Sequence, residues 1–160
     1  MGPIVVGVDG SESSKRALEF ALREAQLRRA RLHVVRASSR WSEMVTGADE
    51  PLPWPAGLGE AFEEIRHEEE PELARWLGAA RNRTRVHDVA ADLETRTGEA
   101  PDVLRAAAGS AELLVVGERR RRDPTRLLLR SVSHEVIRDA PCPVVIVPDE
   151  DGNGREGGPR

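Results

Sequence analysis

Apolar runs and charged amphipathic stretches alternate along this chain. Ile4 to Val8 is apolar and largely β-branched, the pattern of a strand covered on both faces. Asp9, Gly10 and Ser11 follow as a turn with helix-capping chemistry. Ala17, Leu18, Ala21, Leu22 and Ala25 then recur at helical spacing, with Arg16, Glu19, Arg23 and Glu24 on the opposite face. Leu32 to Val35 reads as a second buried strand. Strand, helix and strand in this order make a βαβ unit, whose crossover is right-handed.

Residues 37–59 read as irregular, because the run PLPWPAGLG suits neither a helix nor a central strand. A helical pattern resumes from Glu60 with Phe62, Ile65, Leu73, Trp76 and Leu77. Pro71 predicts either a kink near Glu70 or two helices, and Glu68, Glu69 and Glu70 suit the start of a second one. Within 84–97, Leu93, Thr95 and Thr97 alternate with Glu94 and Arg96, which predicts a polar edge strand. Gly98 ends it. Pro101 fits the first turn of a helix carrying Val103, Leu104, Ala107 and Ala108, which stops at Gly109. Leu113 to Val116 forms the fourth strand and Gly117 ends it. After a charged loop, Ser131 opens a helical pattern with Val132, Val136 and Ile137. Pro141 and Pro143 precede a last strand, Val144 to Val147. The tail 149–160 is polar and glycine-rich, so disorder is expected there, outside one domain spanning 1–148. Strands alternating with helices give the fold class: α/β, a doubly wound, five-stranded, mainly parallel open sheet with helices on both faces.

Composition narrows the setting. The 160 residues are 39% hydrophobic and 32% charged with net charge -4, which suits one soluble domain and gives no global attraction to nucleic acid or anionic membrane. One cysteine, Cys142, excludes a disulfide framework and a CxxC metal clip. No apolar run reaches membrane-spanning length, and no leader pattern is visible, so a cytoplasmic location is the expectation. Lys15 is the lone lysine among many arginines, which suggests a GC-rich bacterial genome.

Leu113 to Ser133 carries the chemistry. A strand, a glycine turn and a helix start are the parts of an anion cradle, since the first backbone N–H groups of a helix lack intrahelical partners. The segment LLVVGERRRRDPTRLLLRSVS resembles the universal stress protein motif: a strand, Gly, two residues, Gly, nine residues, Gly, then Ser or Thr. Gly117 and Ser131 match it, whereas Arg120 and Arg130 replace the second and third glycines. IVVGVDGSESSKRAL, LHVV at 32–35 and CPVVIV at 142–147 also resemble the family, leaving only 37–80 and the tail outside the likeness.

The resemblance implies strand order 3-2-1-4-5, which puts the polar third strand at an edge. The connections then reverse between strands one and four, and ligands of open α/β sheets bind at that switch point. It further implies an adenine-nucleotide site formed by Asp9, Val34, Val116, Gly117, Arg119, Arg120, Arg130, Ser131, Val132 and Ser133. It also implies a homodimer through Val144 to Val147.

Each residue has a second reading. Asp9 is a ribose or purine ligand, or a turn acid. Gly117 allows a phosphate to approach, or simply ends a strand. Ser131 and Ser133 hold phosphate oxygens or cap the helix. Arg119 to Arg122 form a solvated loop, a phosphate clamp or, ranking last for want of interleaved aromatics, a nucleic-acid patch. His33, His67, His87 and His134 lack ligand spacing, and no metal cluster or nucleophile elbow is present. A left-handed glycine resists replacement by about 1–2 kcal/mol, while an arginine–phosphate contact returns about 1.5–3 kcal/mol. The expectation is a regulatory binding protein that takes ATP weakly or not at all. One alternative is an ATP or AMP binder that uses arginine for phosphate. Another is a nucleotidyl-transfer enzyme, although DGSES lacks that group's glycine-rich turn. A further protein partner stays open.

Overall fold

Alternate residues of each central strand point to opposite faces, and here both faces find apolar partners. The computed structural model describes residues 2–38, 58–118 and 132–148, side chains of 58–70 excepted. The elements are β1 (Ile4–Gly7), α1 (Glu12–Arg28), β2 (Leu32–Ser38), α2 (Leu58–Thr84), β3 (Ala91–Thr97), α3 (Ala100–Ala107), a short 3-10 turn (Ala108–Ser110), β4 (Leu113–Gly117), α4 (Val132–Arg138) and β5 (Val144–Val147). The strands lie in the order β3-β2-β1-β4-β5, and every pair is parallel. This is the expected doubly wound sheet, all parallel rather than mainly so.

Two apolar layers enclose the sheet. Ile4, Val6, Leu32, Val34, Leu113 and Val115 face Ala17, Leu18, Ala21 and Leu22 of α1 and Leu73 and Leu77 of α2. Val5, Val35, Leu114 and Val116 face Val103 and Leu104 of α3 and Val136 of α4. This two-sided burial explains why the strands read as unbroken apolar runs.

The two edges differ. On β3, Arg31 pairs with Asp92 at 2.8 Å, and Glu94 pairs with His33 at 2.7 Å and Arg96 at 2.5 Å. Burial pushes the Glu94 carboxyl up, but Arg96 and His33 outweigh it and hold the group below the usual carboxylate range. On β5, all four residues are apolar and half-buried.

The two-helix alternative at Pro71 does not form. One helix, Leu58–Thr84, contains the proline. Its second half stays helical because Leu73, Leu77 and Ala80 are buried against the sheet and α1, although an interior proline costs about 3 kcal/mol. The irregular stretch expected over 37–59 is shorter at both ends, since Ala37 and Ser38 extend β2 and Leu58 and Gly59 begin α2. The expectations for Arg119, Arg120, Arg121, Arg122, Arg130, Ser131, the rest of that stretch with Trp41 and Trp54, and the tail 149–160 lie outside the described residues.

Candidate functional site

The C-terminal ends of β1 and β4 diverge into connections on opposite faces of the sheet, and a cleft opens between them. Its walls are Gly7 of β1, Val8 and Asp9 just after it, Ser11 and Ser14 at the start of α1, Val116 and Gly117 of β4, and Val132 and Ser133 of α4. Val35 and Ala37 of β2 and Ala100 and Leu104 of α3 complete it. The cleft offers about 120 Å³ of cavity volume beneath an open mouth, less than the about 300–1,000 Å³ of a typical small-molecule site.

A net of short hydrogen bonds builds the β1–α1 wall. Asp9 Oδ1 accepts the Ser11 N–H at 2.9 Å, closing an Asx turn. Ser11 is the N-cap, its Oγ accepting the Ser14 N–H at 3.2 Å. The Ser14 hydroxyl donates to the Ser11 carbonyl at 2.9 Å and accepts the Asp9 N–H at 3.3 Å. Asp9 thus shapes the turn, Ser11 caps the helix, and both face the cleft. A Ser11→Ala variant should lose about 1 kcal/mol of stability, which urea unfolding would measure.

Gly117 has a packing reason to be glycine. A Cβ there would lie 2.6 Å from the carbonyl carbon of Ser13, 2.7 Å from the Ser14 nitrogen and 2.8 Å from the Ser13 oxygen. The end of β4 therefore rests directly on the backbone of the first turn of α1.

Of the expected site residues that are described, Asp9, Val116, Gly117, Val132 and Ser133 line the cleft. Ser133 is buried and Val132 is exposed. Val34 is buried in the α1–α2 layer, and its neighbour Val35 lines the cleft. The sequence reading did not single out Val35, Ala37, Ala100 and Leu104 for the site. Strand parity signals the first two, since odd residues of β2 face away from α1. No signal marks Ala100 or Leu104.

Among the described lining residues, Asp9 is the one ionisable group, and its charge has the sign of a phosphate. The rest of the lining mixes apolar side chains with the hydroxyls of Ser11, Ser14 and Ser133. Elsewhere, His33 is engaged by Glu94, and Cys142 is half-buried with its thiol pushed up by burial. No group of three His, Cys, Asp or Glu could hold a metal among the described residues, and none of the helices described is long and apolar enough to cross a membrane.

The model of the universal stress protein family matches residues 1–148. A universal stress protein of Thermus aquaticus is 37% identical over 148 residues, covering 90% of this chain and 96% of the relative. The universal stress protein YxiE of Bacillus subtilis is 32% identical over 150 residues, covering 90% and 97%. Among solved structures, a universal stress protein in complex with cAMP is 26% identical with a TM-score of 0.60, covering 91% of this chain and 95% of that one.

Proposed function

The chain belongs to the universal stress protein family, and from that footing we propose that it acts by binding and regulation, through an adenine-nucleotide cleft that takes ATP weakly or not at all. The observation that carries this reading is the cleft at the β1/β4 switch point. Its apolar lining, which includes Val35, Ala37, Ala100 and Leu104, can receive a base, and Ser11, Ser14 and Ser133 add hydroxyls to the same lining. The phosphate end is where weakness enters. A phosphate cradle needs several N–H groups converging on one anion, and tight glycine turns supply them. Arg120 and Arg130 stand where the family motif has two of those glycines, and the described lining adds only the Asp9 carboxylate as a charge.

A second reading, true ATP or AMP binding with arginines holding the phosphates, is favoured by the relative that carries cAMP. Mass spectrometry of small molecules released from freshly purified protein separates the two. We expect no stoichiometric nucleotide, whereas one nucleotide per chain would establish the second reading. Turnover of ATP to AMP would instead favour a nucleotidyl-transfer enzyme.

The protein also acts as a homodimer through β5. The support is the contrast between edges: β3 carries charges that discourage strand addition, while β5 is short and apolar. Ile137, 48% exposed on α4, adds apolar surface to the molecule.

A further inference from the structure

Trp76 does not line the cleft, but it packs against the turn between two residues that do, Asp9 and Ser11. Its indole sits against Gly10, the residue after Asp9. Gly10 has φ +82°, and a Cβ added there would fall 2.9 Å from Cζ2 and 3.1 Å from Cη2 of Trp76. The contacting atoms belong to the outer six-membered ring. On β2, the Arg36 guanidinium carbon lies 5.3 Å from the Trp76 ring centroid, within cation–π range. Arg36 also pairs with Glu72 at 2.6 Å, one turn before Trp76 on α2. The indole is therefore held between a strand and a turn, and its helix is anchored by the buried Leu73 and Leu77 on either side.

We infer that Trp76 is a positioning residue for the cleft: it holds the Gly10 turn so that Asp9 and Ser11 keep their places in the β1–α1 wall. The inference rests on the reading of that cleft as a ligand site. The physical reason is the freedom of the turn. A glycine at positive φ has the widest backbone freedom of any residue. The Asp9–Ser11 hydrogen bond spans that glycine and restrains it from one side. The indole restrains it from the other. α2 is thereby coupled to the ligand wall through a side chain that touches no ligand.

Trp76→Phe tests this, because phenylalanine keeps most of the apolar packing but lacks the outer ring that meets Gly10. Leu77→Ala is the control. It removes a buried side chain of the same helix and layer, while the three atoms nearest a Cβ at Gly10 all belong to Trp76. ATP titrations followed by amide NMR, with hydrogen exchange on the ligand-free proteins, give two readouts. We expect Trp76→Phe to weaken ATP binding about fivefold or more and to speed exchange at the Ser11 and Ser14 amides. Leu77→Ala should lower the melting temperature further yet leave both unchanged. Gly10→Ala should displace the indole from the other side, so its effect should be smaller when made on Trp76→Phe than on the wild type. Equal exchange at the turn in Trp76→Phe and wild type overturns the inference. If the wild type shows no ATP-dependent shifts at all, the cleft takes no ATP, as one form of the proposed function has it, and the exchange comparison alone decides whether Trp76 holds the turn.

Discussion

Gly117→Ala should lower the melting temperature by about 6–12 °C. The added methyl would meet backbone atoms of Ser13 and Ser14 at 2.6–2.8 Å, closer than real side chains tolerate. Backbone cannot swing aside as a rotamer does, so relief requires β4 or α1 to move. Both are pinned: Ser13 and Ser14 are buried, and β4 is paired on both sides by β1 and β5. Overpacking a core costs about 1–3 kcal/mol, and the upper end applies where the obstacle is main chain. For a domain of this size each kcal/mol shifts melting by about 2–4 °C. Gly78 in α2 is the contrast, since nothing lies within 4 Å of its Cβ direction. There, Gly78→Ala should stabilise by about 0.4–1 kcal/mol. Calorimetric melting of both variants checks the pair. A Gly117→Ala chain that melts within about 2 °C of wild type would show that β4 does not rest on α1 as described.

Ile146→Pro should convert the proposed β5 dimer to a monomer. Leu114 N–H donates to the Pro143 carbonyl and Glu118 N–H to the Val147 carbonyl. In a parallel ladder this alternation turns the backbone groups of Pro143, Val145 and Val147 towards β4 and those of Val144 and Ile146 outwards. Proline at Ile146 therefore removes an outward N–H while leaving the β4 ladder intact, a placement that edge strands tolerate. A partner strand would lose a hydrogen bond and meet the ring. Light scattering at micromolar concentration should report two chains for the wild type and one for the variant, with far-ultraviolet circular dichroism unchanged. A variant that stays dimeric would move the interface away from β5.

The strands were legible because burial on both faces leaves no polar interruption. Val5 and Val6 point to different layers, yet both are fully buried. The charged edge was legible for the opposite reason, as Glu94 and Arg96 interrupt β3 where one face is open. Pro71 allowed either a kink or a break into two helices, and the break fails because the local rule weighs only the missing N–H. Leu73 and Leu77 dock the chain beyond it, and that tertiary contact decides. The cleft was half legible. Asp9 and Gly117 follow from strand order alone, because switch points fix which strand ends meet. Ala100 and Leu104 carry no chemistry to read, and become cleft walls only once α3 crosses the sheet. The meaning of Gly117 was also hidden, because its reason is a backbone over a hundred residues earlier in the chain. A glycine demanded by that contact would stand there whether or not phosphate approached. It therefore counts as weaker support for a phosphate site than the motif alone implies.

Titration calorimetry with ATP, on wild type and on Arg120→Gly/Arg130→Gly, tests the weak-cleft claim most directly. A wild-type dissociation constant of roughly 100 μM or weaker is the predicted result, and restoring the two glycines should tighten it at least tenfold, which is about 1.4 kcal/mol. Micromolar ATP binding by the wild type that vanishes in the double variant would contradict the claim and assign phosphate recognition to the arginines.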